Sequence, residues 1–590
     1  MASHLRHLAD RHRVLLAFAS DGARTGGSPL GRATALLAAA LVVPMTASMP
    51  ASADMTMQTL TAPAEVKAKY PYPFTGNLSK AFVSANTVTS LVATPDTGIL
   101  DAPFTVAGAG LTANTEYTLV WNTTDAAWLG EVDPTTANFR GTKYTKINVD
   151  MGTVKTDANG AFSFQTKVPS DFGSTHDIYL VKDGVAVAKG GFEIFRSVKM
   201  TPKSGPIGTP ITITYTGMGA SLYTAGASIN YDNDYTGQFL ALWTRGTGTA
   251  VIRAAGKPGK HFIHVMDAIE YQYMNVLQSP VPHAYANNNI QTFTVTKDPG
   301  IAALKPSTTW PMNVTPAIKE RTTLSTSGDL APTTSAVATL TPDRGPILQK
   351  TKLHVTGLPT DGTVDLAWST VIGSRVDCPV GSTQCWKFNP SSLGQATVKG
   401  GVLDADVTIP DNLGGYHVVQ VKSGGKVLAQ AAYYVQHTMW NMKDKNGKVV
   451  SVGVAKADVA TAQKSGASAE DLGGTGVGTY TFKQGEPFTI TVRGVGWTQF
   501  DNTMAVTYDN SHVGYGCGFN SNGYMAIHMV ATGEPGTHLI DLWPQYYSHQ
   551  PSFANTQYGM VPLLSGGWDN GALALGYTVP VLHFAIKVVK

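Results

Sequence analysis

Part of this chain is written twice. "GTPITITYTGMG" at residues 208–219 aligns with "GEPFTITVRGVG" at 485–496, and the offset of 277 continues without a gap. It carries "INYDNDYTG" (229–237) onto "VTYDNSHVG" (506–514), and "GKPGKHFIHV" (256–265) onto "GEPGTHLIDL" (533–542). A second pair precedes the first. "TPDTGILDAPFTVAGAGL" (94–111) matches "TPDRGPILQKTKLHVTGL" (341–358) at an offset of 247, and "VPSDFGSTHDIYLVKDG" (168–184) matches "IPDNLGGYHVVQVKSGG" (409–425) at 241. A chain that repeats itself this way reuses one structural unit, so its architecture is a series of modules in the order A-B-A-B. A length of 590 residues is in any case too great for one core.

The expected division is an export signal at 1–53, a flexible leader at 54–88, A1 at 89–198 and B1 at 199–298. A Pro- and Thr-rich linker follows at 299–335, then A2 at 336–436, an inserted connector at 437–476 and B2 at 477–590. Within each module short runs alternate apolar and polar residues between Gly, Pro and Asn, the pattern of antiparallel strands with one buried face. "YTLVW" puts Tyr117, Leu119 and Trp121 on one face, and "VDLAW" does the same with Val364, Leu366 and Trp368. The fold class is all-β: tandem immunoglobulin-like β-sandwiches. "TPKSGPIGTPITITYTGMG" (201–219) resembles the opening of bacterial immunoglobulin-like domains of the IPT/TIG type, in its Ser-Gly-Pro, Gly-Thr, alternating Thr/Ile and Gly-x-Gly. The resemblance implies an extracellular spacer, an adhesin or an appendage to an enzyme, and the fold alone fixes no function.

The first 53 residues hold five Arg, then "ATALLAAALVV", then "ASA" before Asp54, the layout of an export signal. Their removal takes away five Arg and two Asp and leaves the +3 chain with no net formal charge. A neutral chain without a basic run is a poor partner for nucleic acid. No later stretch is long and apolar enough to span a bilayer as a helix. An extracellular or cell-surface location follows, with a glycan, a protein or further copies of the chain as partner.

In an immunoglobulin-like sandwich the end of strand C lies beside the start of strand F. Here the first carries Trp121, Tyr231, Trp368 or Tyr508, and the second His176, His261, His417 or His538. Four aromatic–His pairs at structural corners are expected, with His replacing the corner Tyr of immunoglobulin domains. The rival reading joins Asp232 to His261 and Asp509 to His538 as metal ligands or acid/base pairs. It explains only the B modules, because the A modules carry Asn122-Thr123 and Ser369-Thr370 there. A calcium site at Asp232/Asn233 and Asp509/Asn510 is the metal form of that reading, since hard oxygen ligands are present; no other cofactor is expected.

Cys378 and Cys385, in "DCPVGSTQCW", suit a disulfide closing a small loop in an exported protein. Cys517 lies in "GYGCGF", near His512 and His528 in sequence, but its B1 counterpart is Leu240 and theirs are Tyr235 and Val251. It is expected as a buried small apolar residue. No nucleophile elbow, zinc-protease, phosphate-loop or dinucleotide motif occurs, and no catalytic residue is assigned. The long segments before the last strand of each B module are the candidate ligand loops. They bring Tyr271, Tyr273, Tyr285 and Asn287 in B1, and Tyr546, Tyr547, Tyr558 and Trp568 in B2. Rings and amides in this mixture suit a sugar or polymer. The alternative is that each segment folds over its own sandwich or packs on the adjacent A module, which gives two rigid A-B pairs on a tether. Adhesion or extracellular assembly is the first functional expectation, and a polysaccharide-binding or polysaccharide-degrading exoprotein the second.

Overall fold

A computed structural model describes residues 57–60, 62, 64–74, 79–80, 84–132, 137–221, 225–267, 289–304, 306–309, 332–374, 385–388, 390–452, 480–496, 502–518, 521–549, 557–564 and 579–590. The chain divides into two compact units, 1–53 and 54–590, and the first lies outside the described residues. Among the described residues the second unit is β-structure apart from a six-residue helix, Ala64–Lys69, and a short 3-10 turn, Ile301–Ala303.

Each repeat builds a small sheet facing a larger one. In B1 the small sheet is Ser197–Thr201, Pro210–Thr216 and Gly248–Arg253. The larger runs Ser204–Gly205, Ile290–Val295, Gly259–Asp267, Gly226–Tyr231, Asp234–Leu240. A2 repeats this with Val337–Thr341, Lys350–Thr356 and Val402–Thr408 against Arg344–Gly345, Lys426–Val435, Gly415–Ser423, Gly362–Ser369 and Ser391–Val398. Alternation decides which side faces the core. Pro210–Thr216 buries Ile211, Ile213 and Tyr215 against Phe239, Ile263 and Phe293 and leaves its threonines half-exposed. Each such buried side chain contributes about 1.5–3 kcal/mol.

The first strand of every module changes sheets, ending in a short parallel pairing with the last strand. In A1, B1 and A2 the crossing runs through a cis Thr–Pro bond. In B2 it does not. There the first strand is Thr438–Lys443, extended by Val449–Val452, and the parallel piece is Thr481–Lys483. The start of the segment expected as a connector, 437–476, is therefore the first strand of B2, and the extra residues interrupt that strand's crossing. The offset of 241 that relates A2 to A1 persists through this strand and changes only after it, so the insertion lies inside B2 and not before it.

The leader is also corrected. Met57–Leu60 pairs with the far end of Glu116–Val132, Ser79–Lys80 pairs with Ala137–Lys155, and Ser84–Ser90 runs parallel to Val185–Ile194. These strands bring the larger A1 sheet to eight. Glu116–Val132 and Ala137–Lys155 form a hairpin of 17 and 19 residues that outruns the sandwich. Leader strands satisfy its exposed edge.

The expected tether begins as packed structure. Ser307–Thr309 pairs with Val581–Val589, the last strand of B2, and Ile301 and Leu304 pack against a core to which both B modules contribute. That core joins Ile211, Phe239, Ile252 and Phe293 of B1 to Ala505, Leu539, Trp543, Val581 and Ala585 of B2. Met504, Val506, Ile540, Leu542, Leu582 and Phe584 alternate with these and face the B2 interior. The larger B2 sheet is thus buried on both faces, and the two A-B pairs meet through their B modules.

Candidate functional site

All four aromatic–His pairs are stacked. Ring centroids lie 4.5 Å apart for Trp121–His176, 5.3 Å for Tyr231–His261, 4.7 Å for Trp368–His417 and 5.4 Å for Tyr508–His538. Each His Nε2 meets a carbonyl just upstream: Phe172, Lys257, Gly414 or Glu534. At Nδ1 the modules diverge. In the A modules it meets the carbonyl of the residue after the Trp, Asn122 at 2.9 Å or Ser369 at 3.1 Å. In the B modules it meets the Asp side chain, Asp232 Oδ2 or Asp509 Oδ2, both at 2.5 Å. The other oxygen of each carboxylate accepts from a strand N–H, Phe262 or Leu539, at 2.8 Å. The tyrosines close the corner by donating to Ala255 and Thr532 carbonyls, both at 2.8 Å.

Asp232, Asn233, Asp509 and Asn510 all have positive φ, between 49° and 73°, which small polar residues tolerate in a tight hairpin turn. Of the residues expected to hold calcium, the two Asp side chains turn inward to His and backbone, and Asn510 Nδ2 donates to the Arg253 carbonyl at 2.8 Å. No group of three or more His, Cys, Asp or Glu placed to hold a metal occurs among the described residues.

The corners differ in proton affinity. For His538, burial opposes the charge but is outweighed by the Asp509 hydrogen bond and charge, the Glu534 carbonyl and Asp298, so its pKa is raised. Its contribution is complete below the unfolded value near 6.5 and is lost as pH rises through the folded one. Asp509→Asn is expected to cost about 1.5 kcal/mol at pH 5.5 and less above pH 8, read by urea unfolding. His417 has no carboxylate, and burial lowers it to about 4 against the weaker pull of the Ser369 and Gly414 carbonyls. The fold keeps this ring neutral. Its stability is present above pH 6.5 and lost as pH falls toward 4, by about 3 kcal/mol. Trp emission, which includes the stacked Trp368, should show this acid loss in urea unfolding, and His417→Gln should flatten it.

The A-B joints are built alike in both halves. Gly173 N–H donates to the Met218 carbonyl and Gly414 N–H to the Val495 carbonyl, each at 2.8 Å. The backbones touch so closely that a Cβ on Gly173 would lie 1.7 Å from the Gly217 oxygen, and one on Gly414 1.8 Å from the Gly494 oxygen. An Arg braces each joint. Arg245 pairs with Asp171 at 2.8 Å, which also accepts from Trp121 Nε1 at 2.9 Å, and the Tyr72 ring stacks 4.5 Å from the guanidinium. In the other half Arg493 pairs with Asp411 at 2.8 Å and stacks on Tyr524 at 4.2 Å.

Between the B modules the bracing residue is Arg253. Its guanidinium lies 2.6 Å from Asp541 Oδ1 and donates to the Phe584 carbonyl at 2.7 Å. Asp541 is 1% exposed. Burial would raise its pKa, but Arg253 and His583 outweigh that and hold it low. His583 Nδ1 lies 2.6 Å from Asp541 Oδ1, and its Nε2 lies 2.9 Å from Thr309 Oγ1. Nothing in the sequence singles out these residues; the only signal is a largely apolar run, "VPVLHFAIKVV", interrupted by His583 and Lys587, where a half-buried strand would alternate.

Tyr271, Tyr273, Tyr285, Asn287 and Trp568 lie outside the described residues. Tyr546 and Tyr547 fall within the strand Gly536–His549, which pairs with Gln557–Pro562 and sets Tyr558 opposite Ser548. This part of the expected loop is a hairpin. Beyond it Leu564 N–H donates to the Gln238 carbonyl of B1 at 2.6 Å, and Leu564 enters the shared core. Cys378 is outside the described residues, and Cys385 opens the strand Cys385–Phe388. Cys517 is half-buried, with Sγ 3.8 Å from Asn502 Oδ1, whereas its counterpart Leu240 is 1% exposed. The expected burial is corrected: Cys517 ends its strand at the margin of the sheet. His512 lies 3.1 Å from the Gly514 carbonyl, and His528 binds Thr489 Oγ1 at 2.8 Å on the other sheet.

No family model and no curated protein matches the chain. Among solved structures it is similar to Salmonella alpha-2-macroglobulin, at 8% identity and a TM-score of 0.14, over 85% of this chain and 31% of that one. It is also similar to the four-domain ectodomain fragment of ICAM-5, at 9% and 0.15, over 81% and 100%, and to the first eight immunoglobulin domains of Down Syndrome Cell Adhesion Molecule, at 11% and 0.15, over 85% and 55%. The chain thus spans about a third of the Salmonella protein. Likeness at these scores carries no argument about function; the strands and sheets themselves define a tandem immunoglobulin-like β-sandwich protein.

Proposed function

We propose that the chain is an exported, non-catalytic scaffold of the cell surface or extracellular matrix, acting in adhesion or assembly, with modules of the IPT/TIG type. The observation that supports this reading is the way the modules are joined. Backbone contact at Gly173 and Gly414 leaves the A-B joints no room to bend, and the shared core with its Arg253–Asp541 pair fastens B1 to B2. Buried, inflexible joints suit a load-bearing spacer more than an enzyme, whose domains move to admit substrate. Both ring nitrogens of every corner His are taken up by a carbonyl or a carboxylate of the same module, which fits a structural role there.

Negative-stain electron microscopy of the chain from Asp54 tests the reading. The expected result is particles of one shape that order into filaments or sheets as concentration rises. Particles that stay dispersed at every concentration and cleave a polysaccharide contradict it.

A further inference from the structure

The contact between B1 and B2 joins two unlike surfaces. B1 offers Arg253, the last residue of the edge strand Gly248–Arg253, and B2 offers the outer face of its larger sheet. On that face Leu539 and Ala585 stand opposite each other and enter the shared core, and Asp541 takes the Arg253 guanidinium. Asn510, at the hairpin turn beside them, donates to the Arg253 carbonyl. Leu539 is 1% exposed. Because the two surfaces differ, each B module carries a duplicate of the one its sister uses.

Both duplicates are open. On B1, the offset of 277 and the strand register put Phe262 at the position of Leu539, His264 at that of Asp541 and Ile290 at that of His583. Ile263 points into the core, so Phe262 and His264 lie on the outer face, with Ile290 directly opposite His264. Phe262 is 53% exposed and Ile290 45%. On B2, Val530 takes the position of Arg253, closes the edge strand Met525–Val530 and is 46% exposed. Asn233, the duplicate of Asn510, is exposed, and its side chain makes no hydrogen bond among the described residues.

The replacements on the two open surfaces match each other. Val530 stands for Arg253 and His264 for Asp541, so the cation and its carboxylate are lost together. Loss of one alone would leave a charge facing an apolar surface without a partner. Burial lowers the pKa of His264, which keeps that ring neutral at pH 7. Phe262 and Ile290 add apolar area where B2 has Leu539 and His583.

We propose that a second copy of this chain docks here: the Val530 end of one copy's B2 seats on the Phe262–Ile290 face of the next copy's B1. The contact repeats that of B1 with B2, and Asn233 donates to the Val530 carbonyl as Asn510 does to that of Arg253. The two A-B joints are built alike, so the arriving B1 carries its A1 as B2 carries A2. A head-to-tail contact leaves one surface free at each end, so copies add into a filament, or into a ring if the rotation closes. This inference rests on the assembly reading and names the surfaces that carry it.

Two variants of the chain from Asp54 test it. Phe262→Lys blocks the face and Val530→Arg blocks the end; both add a cation, so the blocked surfaces do not attract each other. At these exposed positions both should melt with the unsubstituted chain, and Ile290→Lys replaces Phe262→Lys if that variant melts lower. Light scattering and sedimentation follow mass against concentration. The unsubstituted chain is expected to grow beyond two copies, and each variant alone to stay single, with the contact weakened tenfold or more. The two variants mixed are expected to stop at pairs, since one supplies an intact end and the other an intact face. Growth of either variant like that of the unsubstituted chain, or a mixture that forms no pairs, overturns this contact and leaves the assembly reading standing. An unsubstituted chain that stays single at every concentration overturns both and leaves adhesion.

Discussion

Arg253→Ala is expected to cost about 3–5 kcal/mol and to separate B1 from B2, because it leaves Asp541 charged, buried and without its main partner. The loss exceeds that of a surface ion pair for two reasons. Asp541 is shut off from water, and the same guanidinium also satisfies the Phe584 carbonyl. Urea unfolding should resolve into two transitions in the variant, with the loss nearly unchanged from low to high salt, since buried pairs are poorly screened. Arg253→Met combined with Asp541→Leu removes both charges and should recover most of the stability. If Arg253→Ala costs less than about 1 kcal/mol, in the range of surface pairs, the two B modules do not depend on this contact.

Gly173→Ala and Gly414→Ala are each expected to cost about 4 kcal/mol, above the usual 1–3 for overpacking. Overpacked side chains can rotate away, whereas here the new methyl carbon meets a backbone carbonyl at 1.7–1.8 Å. Only a shift of one module against the other relieves the clash. The partner glycines, Gly217 at φ 77° and Gly494 at φ 66°, are already in the left-handed region and cannot easily yield. Limited proteolysis should then cut at the A-B joint in each variant and spare it in the unsubstituted chain. A Gly→Ala change at Gly191, which is not left-handed and whose added Cβ meets nothing nearer than 3.6 Å, is the control for the loss of a glycine without the clash.

The four modules and the four ring pairs were legible because duplication shows which residues recur at equivalent places. His176, His261, His417 and His538 recur while their neighbours change, and each stacks on the aromatic that recurs with it. Duplication was silent about what joins B1 to B2. Arg253 and Asp541 belong to different copies and pair across them, so no comparison of B1 with B2 aligns one with the other. The signal that did exist lay in hydropathy: Val581–Val589 is apolar at seven of its nine positions, where a strand facing solvent on one side would alternate. The leader strands were illegible for a different reason. Met57–Leu60 and Ser79–Lys80 are too short to show a period, and they pair because a long hairpin presents an edge to them. The first strand of B2 was missed where the offset between repeats changes, since the insertion falls inside a module.

Through the contact of B1 with B2 the two A-B pairs form one body. The most direct test places a specific protease site within residues 310–331, cuts the folded chain from Asp54 there, and passes the product through size exclusion with light scattering. The two fragments are expected to travel together at the mass of the uncut chain and to separate when Arg253→Ala is also present. Fragments that part on cleavage, each running as an independent A-B pair, would contradict it.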